Sequence, residues 1–467
     1  MENNKQMPSF KVSLFVFLTI MGTLAIGMGV FRMDTHILLT LCLLLVCGVT
    51  IKLGYTTDEL FDAMGDSLKK SVVAMLFFII IGMIIGSWEL AGTVPALISY
   101  GLKLIKPEIF LPAGFIVCSV TSFATGTSWG TCATVGLALM GMGQGMGIPA
   151  PIVAGMAVSG SIFGDHFSPM SDTTVLASTA AKVELYDHVR SMAKTIIPAF
   201  IISTVLYGVI GMKYVGDVNS PEIVEMQRVL SETFNLNLLC FLPIVIVLVL
   251  SFMKFPSVPT LLIGIFTGVV VAMTVQGASL NEVFGALNYG YGNDTGNALV
   301  NKLVQRGGIQ SMMWTFSLAF IALLLGGILE KVGYLKVLIS SIVTKIKGAG
   351  QLVALTWFTG VLGNMAMAEV YLSIILNGSL YSDIYDEKGL DRSMLSRMLE
   401  EGATLSGPIV PWTTCGAFMA ATLGVATLEY LPYAFIGFIP PIISIVTASL
   451  GIFVTRTTPS DKKSATA

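Results

Sequence analysis

Long apolar runs, separated by short polar stretches, dominate the chain. A helix needs about 20 apolar residues to cross a bilayer. Runs of that order lie near 12–31, 36–53, 70–92, 150–181, 193–213, 236–252, 258–276, 309–330, 398–423 and 429–455. The pattern therefore predicts an all-α polytopic membrane protein with about ten transmembrane helices.

Two further apolar runs, near 111–147 and 351–380, carry glycine, hydroxyl or other polar residues at their centres. Irregular backbone at membrane depth is tolerated only where it is buried in protein or lines a cavity. Each run is therefore predicted to be a re-entrant hairpin, and one long span is the alternative.

Composition supports a membrane protein and excludes several other classes. Hydrophobic residues make up 54% of the chain and charged residues 12%, and the mean hydropathy is +0.82. The net charge of −2 and the lack of a basic tract give no reason to expect nucleic acid. The six cysteines lie in apolar segments without metal-ligand spacing. No ATP-binding loop is visible, so we expect a transporter driven by an ion gradient, not an enzyme, without a cofactor.

The distribution of Lys and Arg predicts the orientation. With two hairpins, most basic loops fall on the side of the N-terminus, and the acid-rich loop around Glu222 falls on the other side. The positive-inside rule then places both termini in the cytoplasm, with Lys103 and Lys106 as exceptions. The predicted divisions are a cytoplasmic N-terminus (1–11), a first transmembrane repeat (12–213), an external linker (214–235), a second, inverted repeat (236–455) and a cytoplasmic tail (456–467).

An internal similarity at an offset of about 240 residues underlies this division. GSWELAGTVPALI, from Gly86, resembles GGILEKVGYLKVLI, from Gly326, and the same offset places Thr173 and Thr174 on Thr413 and Thr414. Five spans and a hairpin in each half would invert the second half, and broken helices would meet at the midplane as in many secondary transporters. Chance similarity between two apolar sequences is the alternative.

The sequence GSIFGDHFSPMSDTT, residues 160–174, contains the strongest candidate site. Asp165, His166 and Asp172 lie in a stretch from 109 to 181 that has no Lys or Arg. Ionisable groups at bilayer depth are costly and usually mark an ion path or a proton relay. Pro169 lacks an amide hydrogen, so the helix should break between the two aspartates.

The break would gather oxygen atoms suited to a hard cation. Asp172, Ser168 and Thr173 are the predicted sodium ligands, together with Asp165 and freed carbonyl groups. A buried carboxylate can hold either a cation or a proton, which is the simplest basis for antiport. The alternatives are a helix cap for Asp172, a structural hydrogen bond for Asp165, and a packed ring rather than a proton or pH role for His166.

Two other stretches complete the candidate site. In TGTSWGT, residues 125–131, Thr127 and Ser128 are predicted to face the broken helix, although small residues also serve close helix packing. Glu369 occupies the corresponding run of the second half, as a gate, a proton carrier or a structural acid. The stretch from Thr404 to Thr414 repeats the break without aspartates, so we expect the charged site on the first half. Glu400 and Glu401 are interpreted as an acidic helix start at the cytoplasmic surface.

TGTSWGT, followed by GDHFSPMSDTTVLAS and ELYDHVRSM, resembles the NhaC family of bacterial sodium/proton antiporters in the ion-transporter superfamily. The resemblance covers most of the chain. It implies that hairpin tips and interrupted helices of two inverted repeats form the transport site, with Thr127, Ser128, Asp165, Ser168, Asp172, Thr173 and Glu369 as its residues. The family includes relatives that exchange malate with protons for lactate with sodium. A homodimer and a bacterial cytoplasmic membrane location are expectations at the level of the family.

The sequence thus favours exchange of cytoplasmic Na+ for external H+ across the lipid bilayer. Sodium- and proton-coupled exchange of small carboxylates such as malate or lactate is the second hypothesis, because hairpin tips can offer hydroxyl and amide groups to an anion. A passive cation channel is a third. An intramembrane hydrolase is least favoured, since Asp165 and His166 are neighbours without a spaced nucleophile.

Overall fold

The computed structural model describes residues 6–104, 106–214, 221–253, 255–343 and 348–456. These residues form helices and short connections, with no strand among them. The predicted all-α class is confirmed. Part of the predicted linker 214–235, the first five residues and the tail beyond Arg456 lie outside the described ranges.

Eleven α-helices occupy the first part of the chain. They are α1 (Phe10–Gly29), α2 (Thr35–Lys52), α3 (Thr57–Lys70), α4 (Val72–Leu90), α5 (Thr93–Leu104), α6 (Pro107–Thr125), α7 (Ser128–Thr131), α8 (Leu137–Gly145), α9 (Ala150–Phe167), α10 (Asp172–Ala181) and α11 (Leu185–Gly211). A π-helical turn, Cys132–Gly136, joins α7 to α8.

The second part of the described chain follows a related order. Its helices are α12 (Pro221–Thr233), α13 (Leu242–Phe252), α14 (Ser257–Thr274), α15 (Leu280–Tyr289), α16 (Ala298–Val304), α17 (Ile309–Val332), α18 (Tyr334–Val343), α19 (Ala349–Met367), α20 (Val370–Glu387), α21 (Arg392–Leu399), α22 (Thr414–Leu423), α23 (Thr427–Tyr430) and α24 (Ile439–Ser449). A π-helical turn, Glu400–Thr404, continues α21, and a 3-10 turn, Gly407–Ile409, precedes α22.

Within the described residues, seven helices are long and apolar enough to cross a membrane: α1, α2, α4, α6, α11, α14 and α17. The number reaches nine if two sharply bent pairs, around α12–α13 and α22–α23, are each counted as one span. The chain is therefore a polytopic membrane protein. Six of the seven helices correspond to predicted runs, and α6 belongs to the first interrupted run. Of the other four predicted runs, irregular backbone interrupts 150–181 and 398–423, and 236–252 and 429–455 contain the shorter helices α13 and α24.

Burial separates peripheral from central helices. Only 28% of the apolar window of α1 and 33% of that of α2 is buried inside the protein, against 67% for α4 and 61% for α17. Because apolar side chains on α1 and α2 face outward, these helices suit a lipid environment. The α4 and α17 helices instead pack in the interior, beside the hairpins.

The first interrupted run, 111–147, is an antiparallel helical hairpin. Gly114 on α6 lies against Leu139 on α8, and Phe110, near the start of α6, lies against Gly143, near the end of α8. Residues progressively farther from the connection therefore face each other.

The second interrupted run, 351–380, has the same form. The hydroxyl groups of Thr359 and Tyr381 are 3.0 Å apart, and those of Thr356 and Tyr385 are 3.2 Å apart. Contacts that pair earlier residues of α19 with later residues of α20 define an antiparallel hairpin. Both hairpins end in a break at the centre of the run, as the glycine and polar residues there predicted.

The helix bounds of the two halves repeat at a constant offset of 242 residues. Helices α6, α9 and α10 begin at 107, 150 and 172, and α19, α21 and α22 begin at 349, 392 and 414. Both hairpin tips contain a left-handed residue at the same offset, Gly126 (φ 69°) and Ala368 (φ 59°). The predicted alignment of Thr173 with Thr413 was wrong by two residues, because Ser171 and Thr413 are the equivalent helix N-caps. The inversion of the second half and the proposed domain limits stay predictions.

Candidate functional site

The break between α9 and α10 lies where Pro169 predicted it. Helix α9 ends at Phe167, Ser168 adopts an extended conformation, and α10 begins at Asp172. The backbone carbonyl of Asp165 accepts a hydrogen bond from the Thr174 hydroxyl at 3.2 Å. A side-chain hydrogen bond thus links the end of α9 to the start of α10, in addition to the turn that connects them.

The Asp165 carboxylate is buried at the break and accepts two short hydrogen bonds. Ser128 Oγ donates to Oδ2 at 2.5 Å, and Ser171 Oγ donates to Oδ1 at 2.6 Å. Ser171 Oγ also lies 2.9 Å from Thr173 Oγ1. Because a hydroxyl group has one proton to give, Thr173 donates to Ser171, which in turn donates to Asp165. This chain leaves Asp165 surrounded by neutral donors.

The tip of the first hairpin fits closely against this break. A Cβ atom at Gly126 would lie 3.0 Å from the backbone of Met170, and its left-handed φ also favours glycine. Thr127 accepts a hydrogen bond from the Gly130 amide at 3.2 Å and caps α7. The cap directs the next residue, Ser128, towards Asp165. The structure therefore brings Thr127 and Ser128 to the broken helix.

The tip of the second hairpin meets the second break in a related way. The Thr414 amide donates to the Ala368 carbonyl at 2.9 Å, and Thr414 Oγ1 donates to Glu369 Oε2 at 2.8 Å. Glu369 is buried, with 4% of its surface exposed. The second hairpin thus presents its acid at its tip, whereas the first presents hydroxyl groups there.

Asp172 connects the two halves. Its Oδ1 accepts the Thr173 amide at 2.9 Å, so part of its role is to cap α10. Its Oδ2 accepts a hydrogen bond from the Tyr371 hydroxyl on α20 at 2.5 Å. Capping and contact with the opposite hairpin are therefore combined in one carboxylate.

One cavity of about 480 Å³ contains most of the predicted site. Its oxygen-bearing side chains come mainly from both hairpin tips and both breaks, and among the described residues they are Ser71, Thr125, Thr127, Ser128, Asp165, Asp172, Thr173, Ser257, Glu369, Tyr371, Thr404 and Thr414. The sequence placed seven of its candidates in one site, and six of them line this cavity.

The charges around the cavity favour a cation. Three carboxylates line it, and Lys70 is the only basic residue among the described residues of its lining. Lys70 Nζ already contacts the carboxylate of Glu330 at 2.8 Å. Carboxylates and hydroxyl groups are the ligands that hard cations prefer. The cavity can therefore hold a small cation or protons in competition.

Ser168 lies apart from the cavity. Its side chain is fully buried, and its Oγ accepts the Met170 amide at 3.2 Å. Ser168 is not among the described residues that line the cavity. The structure therefore brings Asp172 and Thr173 together at the cavity and leaves Ser168 as part of the turn.

His166 also faces away from the cavity, towards the second half. Its Nδ1 lies 3.3 Å from Oε2 of Glu400, and both side chains are fully buried. The interpretation of Glu400 and Glu401 as a helix start at the surface was wrong. They continue α21 through a π-helical turn, at positions equivalent to Val158 and Ser159 within α9.

This part of the site was missed because its partners are distant in sequence. Glu401 Oε1 accepts hydrogen bonds from Thr195 at 2.7 Å and Ser444 at 2.8 Å. Arg397 Nε lies 4.0 Å from the same oxygen and is also fully buried. The 242-residue repeat could have indicated that these charges are buried, since it makes Glu400 and Glu401 equivalent to buried residues of α9.

Comparisons with known proteins agree over nearly the whole chain. A model of the Na+/H+ antiporter family matches residues 6–190 and 176–452. The Na+/H+ antiporter NhaC of Alkalihalophilus pseudofirmus is 37% identical over 445 residues, covering 95% of this chain and 96% of that protein. The malate-2H+/Na+-lactate antiporter of Bacillus subtilis is 39% identical over 405 residues, 86% of each protein. The arginine/ornithine antiporter ArcD of Halobacterium salinarum is 37% identical over 449 residues, 95% of this chain and 92% of that protein.

Proposed function

Because the chain belongs to the Na+/H+ antiporter family, we propose that it exchanges cytoplasmic Na+ for external H+ across a bacterial cell membrane. The supporting observation is the single cavity with three carboxylates, whose one basic lining residue among those described is paired with Glu330. A substrate that enters this cavity meets net negative charge. Sodium ions and protons are positively charged and neutralise the carboxylates directly.

Asp172 and Thr173 are the proposed sodium ligands. Asp172 is exposed to the cavity, and Thr173 adjoins it at the start of α10. Ser168, the third predicted ligand, would join only after the α9–α10 turn rearranged, because its hydroxyl is bound to the Met170 amide.

Asp165 is the proposed carboxylate for which sodium and protons compete. Ser128 and Ser171 stabilise its charged form by donating hydrogen bonds. A proton that arrives at Asp165 removes the negative charge on which cation binding depends. Exclusive occupancy by one or the other gives antiport without a covalent step. Glu369 and Thr127, at the two hairpin tips, complete the cation path.

Exchange of small carboxylates is the second candidate function. The specific observations are the similarity to a malate-2H+/Na+-lactate antiporter and the position of Lys70 in the cavity lining. An anion could draw Lys70 away from Glu330, while sodium bridges the anion to the aspartates. The cavity of about 480 Å³ also exceeds what a bare ion requires.

Proton movement across proteoliposomes containing the purified protein distinguishes these functions. Sodium is added alone, then with malate and lactate on opposite sides, and in a third arm arginine and ornithine replace the acids. Proton movement with sodium alone is expected. A response that requires malate and lactate would replace sodium/proton exchange with carboxylate exchange. A response that requires the amino acids would contradict both candidates.

The remaining expectations about cellular context belong to this proposal. Both termini face the cytoplasm. A homodimer is expected from the family resemblance. Labelling of single cysteines introduced at Ser9 and Lys388 in intact cells would test the orientation, and both should resist a membrane-impermeant reagent.

A further inference from the structure

A second group of buried ionisable side chains lies behind the cation cavity. Arg397, Glu400 and Glu401 on the α21 segment, His166 on α9 and His188 on α11 are all fully buried. None of these five is among the described residues that line the cavity. Burying so many ionisable groups is costly unless their charges are balanced or neutralised by protons.

The two adjacent acids differ in how they are balanced. Glu401 has the Arg397 guanidinium 4.0 Å away and accepts hydrogen bonds from Thr195 and Ser444. Arginine is always charged, so Glu401 has a fixed counter-ion. Glu400 has only the His166 imidazole at 3.3 Å, and its second oxygen has no partner among the described residues. Glu400 is therefore the acid without a permanent positive partner.

The position of Glu400 links it to the cavity. Thr404 is four residues later in the same π-helical turn and lines the cavity. Its buried hydroxyl has no partner among the described residues. Asp165, which lines the cavity, directly precedes His166 in α9, and His166 contacts Glu400 at 3.3 Å. A change of charge at Glu400 therefore changes the electrostatic potential at the cation site.

We propose that Glu400 is a second proton-binding site, which sets how strongly the cavity holds a cation. The inference rests on the proposed sodium/proton exchange. A proton taken up by Glu400 converts its carboxylate to a carboxylic acid, whose O–H donates to Nδ1 of neutral His166. The negative charge behind Asp165 then disappears, and the cavity binds sodium more weakly. Release of that proton restores the charge and the affinity.

Other ionisable groups in the same buried cluster, or next to its members, shape this response. Arg397 and Glu401 lie on its own segment, His166 and Asp165 on α9, His188 and the half-buried Lys194 on α11, and Tyr385 on α20. Arg397 and Glu401 cancel each other, and the tyrosine is neutral. Protonation of Glu400 thus changes the net charge of the cluster without disturbing the ion pair between Arg397 and Glu401.

The test is the pH dependence of the sodium KM in Glu400→Gln, compared with the wild-type protein and with Asp187→Asn. Gln carries no charge and so reproduces the protonated state at every pH. We expect the sodium KM of Glu400→Gln to be about fivefold or more above the wild-type value at the alkaline end of the pH range, and close to it at the acidic end, where the proposed protonation would make the two proteins alike. Asp187, an exposed acid paired with Arg190 on α11, should leave the KM unchanged. An unaltered KM for Glu400→Gln throughout the pH range would overturn the proposal.

Infrared difference spectroscopy tests protonation without transport. The purified wild-type protein, titrated without sodium, should show a protonated carboxyl band for Glu400 in addition to that of Asp165, and Glu400→Gln should lack this additional band. A variant whose carboxyl bands equal those of the wild-type protein would assign the proton elsewhere and overturn the proposal. If Glu400→Gln does not fold, Glu400→Asp takes its place, since retraction from His166 should shift the midpoint of the band; an unshifted midpoint would contradict the proposal. Absence of sodium/proton exchange in the wild-type protein would refute the proposed function but leave this assignment measurable.

Discussion

The two helix breaks, α9–α10 and α21–α22, share a backbone plan but carry different chemistry. In both halves a side chain of the hairpin bonds the same equivalent carbonyl: Ser122 donates to Ser161, and Asn364 donates to Ala403. The packing of a hairpin on a broken helix is therefore repeated in detail. Differences between the halves can be traced to single side chains rather than to the fold.

The two halves place a carboxylate and a hydroxyl residue at the same two equivalent positions, but in the opposite arrangement. The first half has its acid, Asp172, on the restarting helix and Thr127 at the hairpin tip. The second half has Glu369 at the tip and Thr414 on the restarting helix, at the equivalent positions. At these two equivalent positions each half thus supplies one carboxylate and one hydroxyl to the cavity, and Asp165 adds a second carboxylate from the first half. A symmetric scaffold becomes an asymmetric site when these two residue types are exchanged.

Removing the acid from the first half should have the largest effect. In Asp172→Asn, sodium-dependent proton movement is expected to fall to the level of empty proteoliposomes, because the neutral amide removes the negative charge of a proposed sodium ligand. Its counterpart Thr414→Val should lose only part of the activity, because Glu369 keeps its charge. Protein level and thermal stability serve as controls. Equal losses in the two variants, or normal transport in Asp172→Asn, would contradict the proposed asymmetry.

The packing next to the two breaks should also differ in how well it accommodates an added methyl group. A Cβ at Gly164 would lie 2.0 Å from the Phe123 amide nitrogen, whereas one at Gly402 would lie 3.0 Å from the Trp357 carbonyl oxygen. We expect Gly164→Ala to destabilise the protein by about 3 kcal/mol and Gly402→Ala by about 1 kcal/mol. Thermal unfolding in detergent measures both. A smaller loss for Gly164→Ala than for Gly402→Ala would reverse the comparison.

The contact between the halves is expected to have a moderate effect. Tyr371→Phe removes the hydrogen bond to Asp172, which fixes the carboxylate relative to the second hairpin. A hydrogen bond to a charged group contributes about 1.5–3 kcal/mol, so kcat/KM for sodium should fall by about tenfold or more. Tyr186→Phe, at an exposed site on α11, is the matched control. Unchanged kinetics in Tyr371→Phe would remove this contact from the mechanism.

The hairpin tips should give the smallest difference. Ala368 adopts a left-handed conformation in which the first half has Gly126. A left-handed conformation costs a residue with a Cβ roughly 1–2 kcal/mol, and glycine loses about 0.5–1 kcal/mol in chain entropy. Ala368→Gly should therefore raise thermal stability slightly and leave transport intact. Gly126→Ala should lower stability, since it adds the Met170 contact to the same strain.

Local sequence was sufficient to predict the breaks and hairpins. Pro169 lacks the amide hydrogen that a continuous helix would use, and the glycine and hydroxyl residues of 125–131 indicate irregular backbone without knowledge of the partners. The apolar runs likewise predicted membrane helices. These features depend on residues adjacent in the chain, and for that reason the structure confirms them.

The missed features depend on residues far apart. Arg397 and Glu401 look like surface residues because they follow a polar connection, but in the interior Thr195 and Ser444 donate hydrogen bonds to Glu401, and Arg397 donates to the Ser191 carbonyl. The sequence around Tyr371 does not indicate its hydrogen bond to Asp172, because this bond spans the two halves. The repeat register was misjudged by two residues because the paired threonines of the two halves are not equivalent.

The constant 242-residue offset across 107–181 and 349–423 bears on how the protein diverged after duplication. An inserted residue turns the rest of an α-helix by about 100°, which would rotate the side chains at a break away from the cavity. Neither copy carries a net insertion or deletion relative to the other in this region. The two copies have therefore specialised by substitution, so that ancestral states of the transport site can be sought by exchanging single residues between equivalent positions.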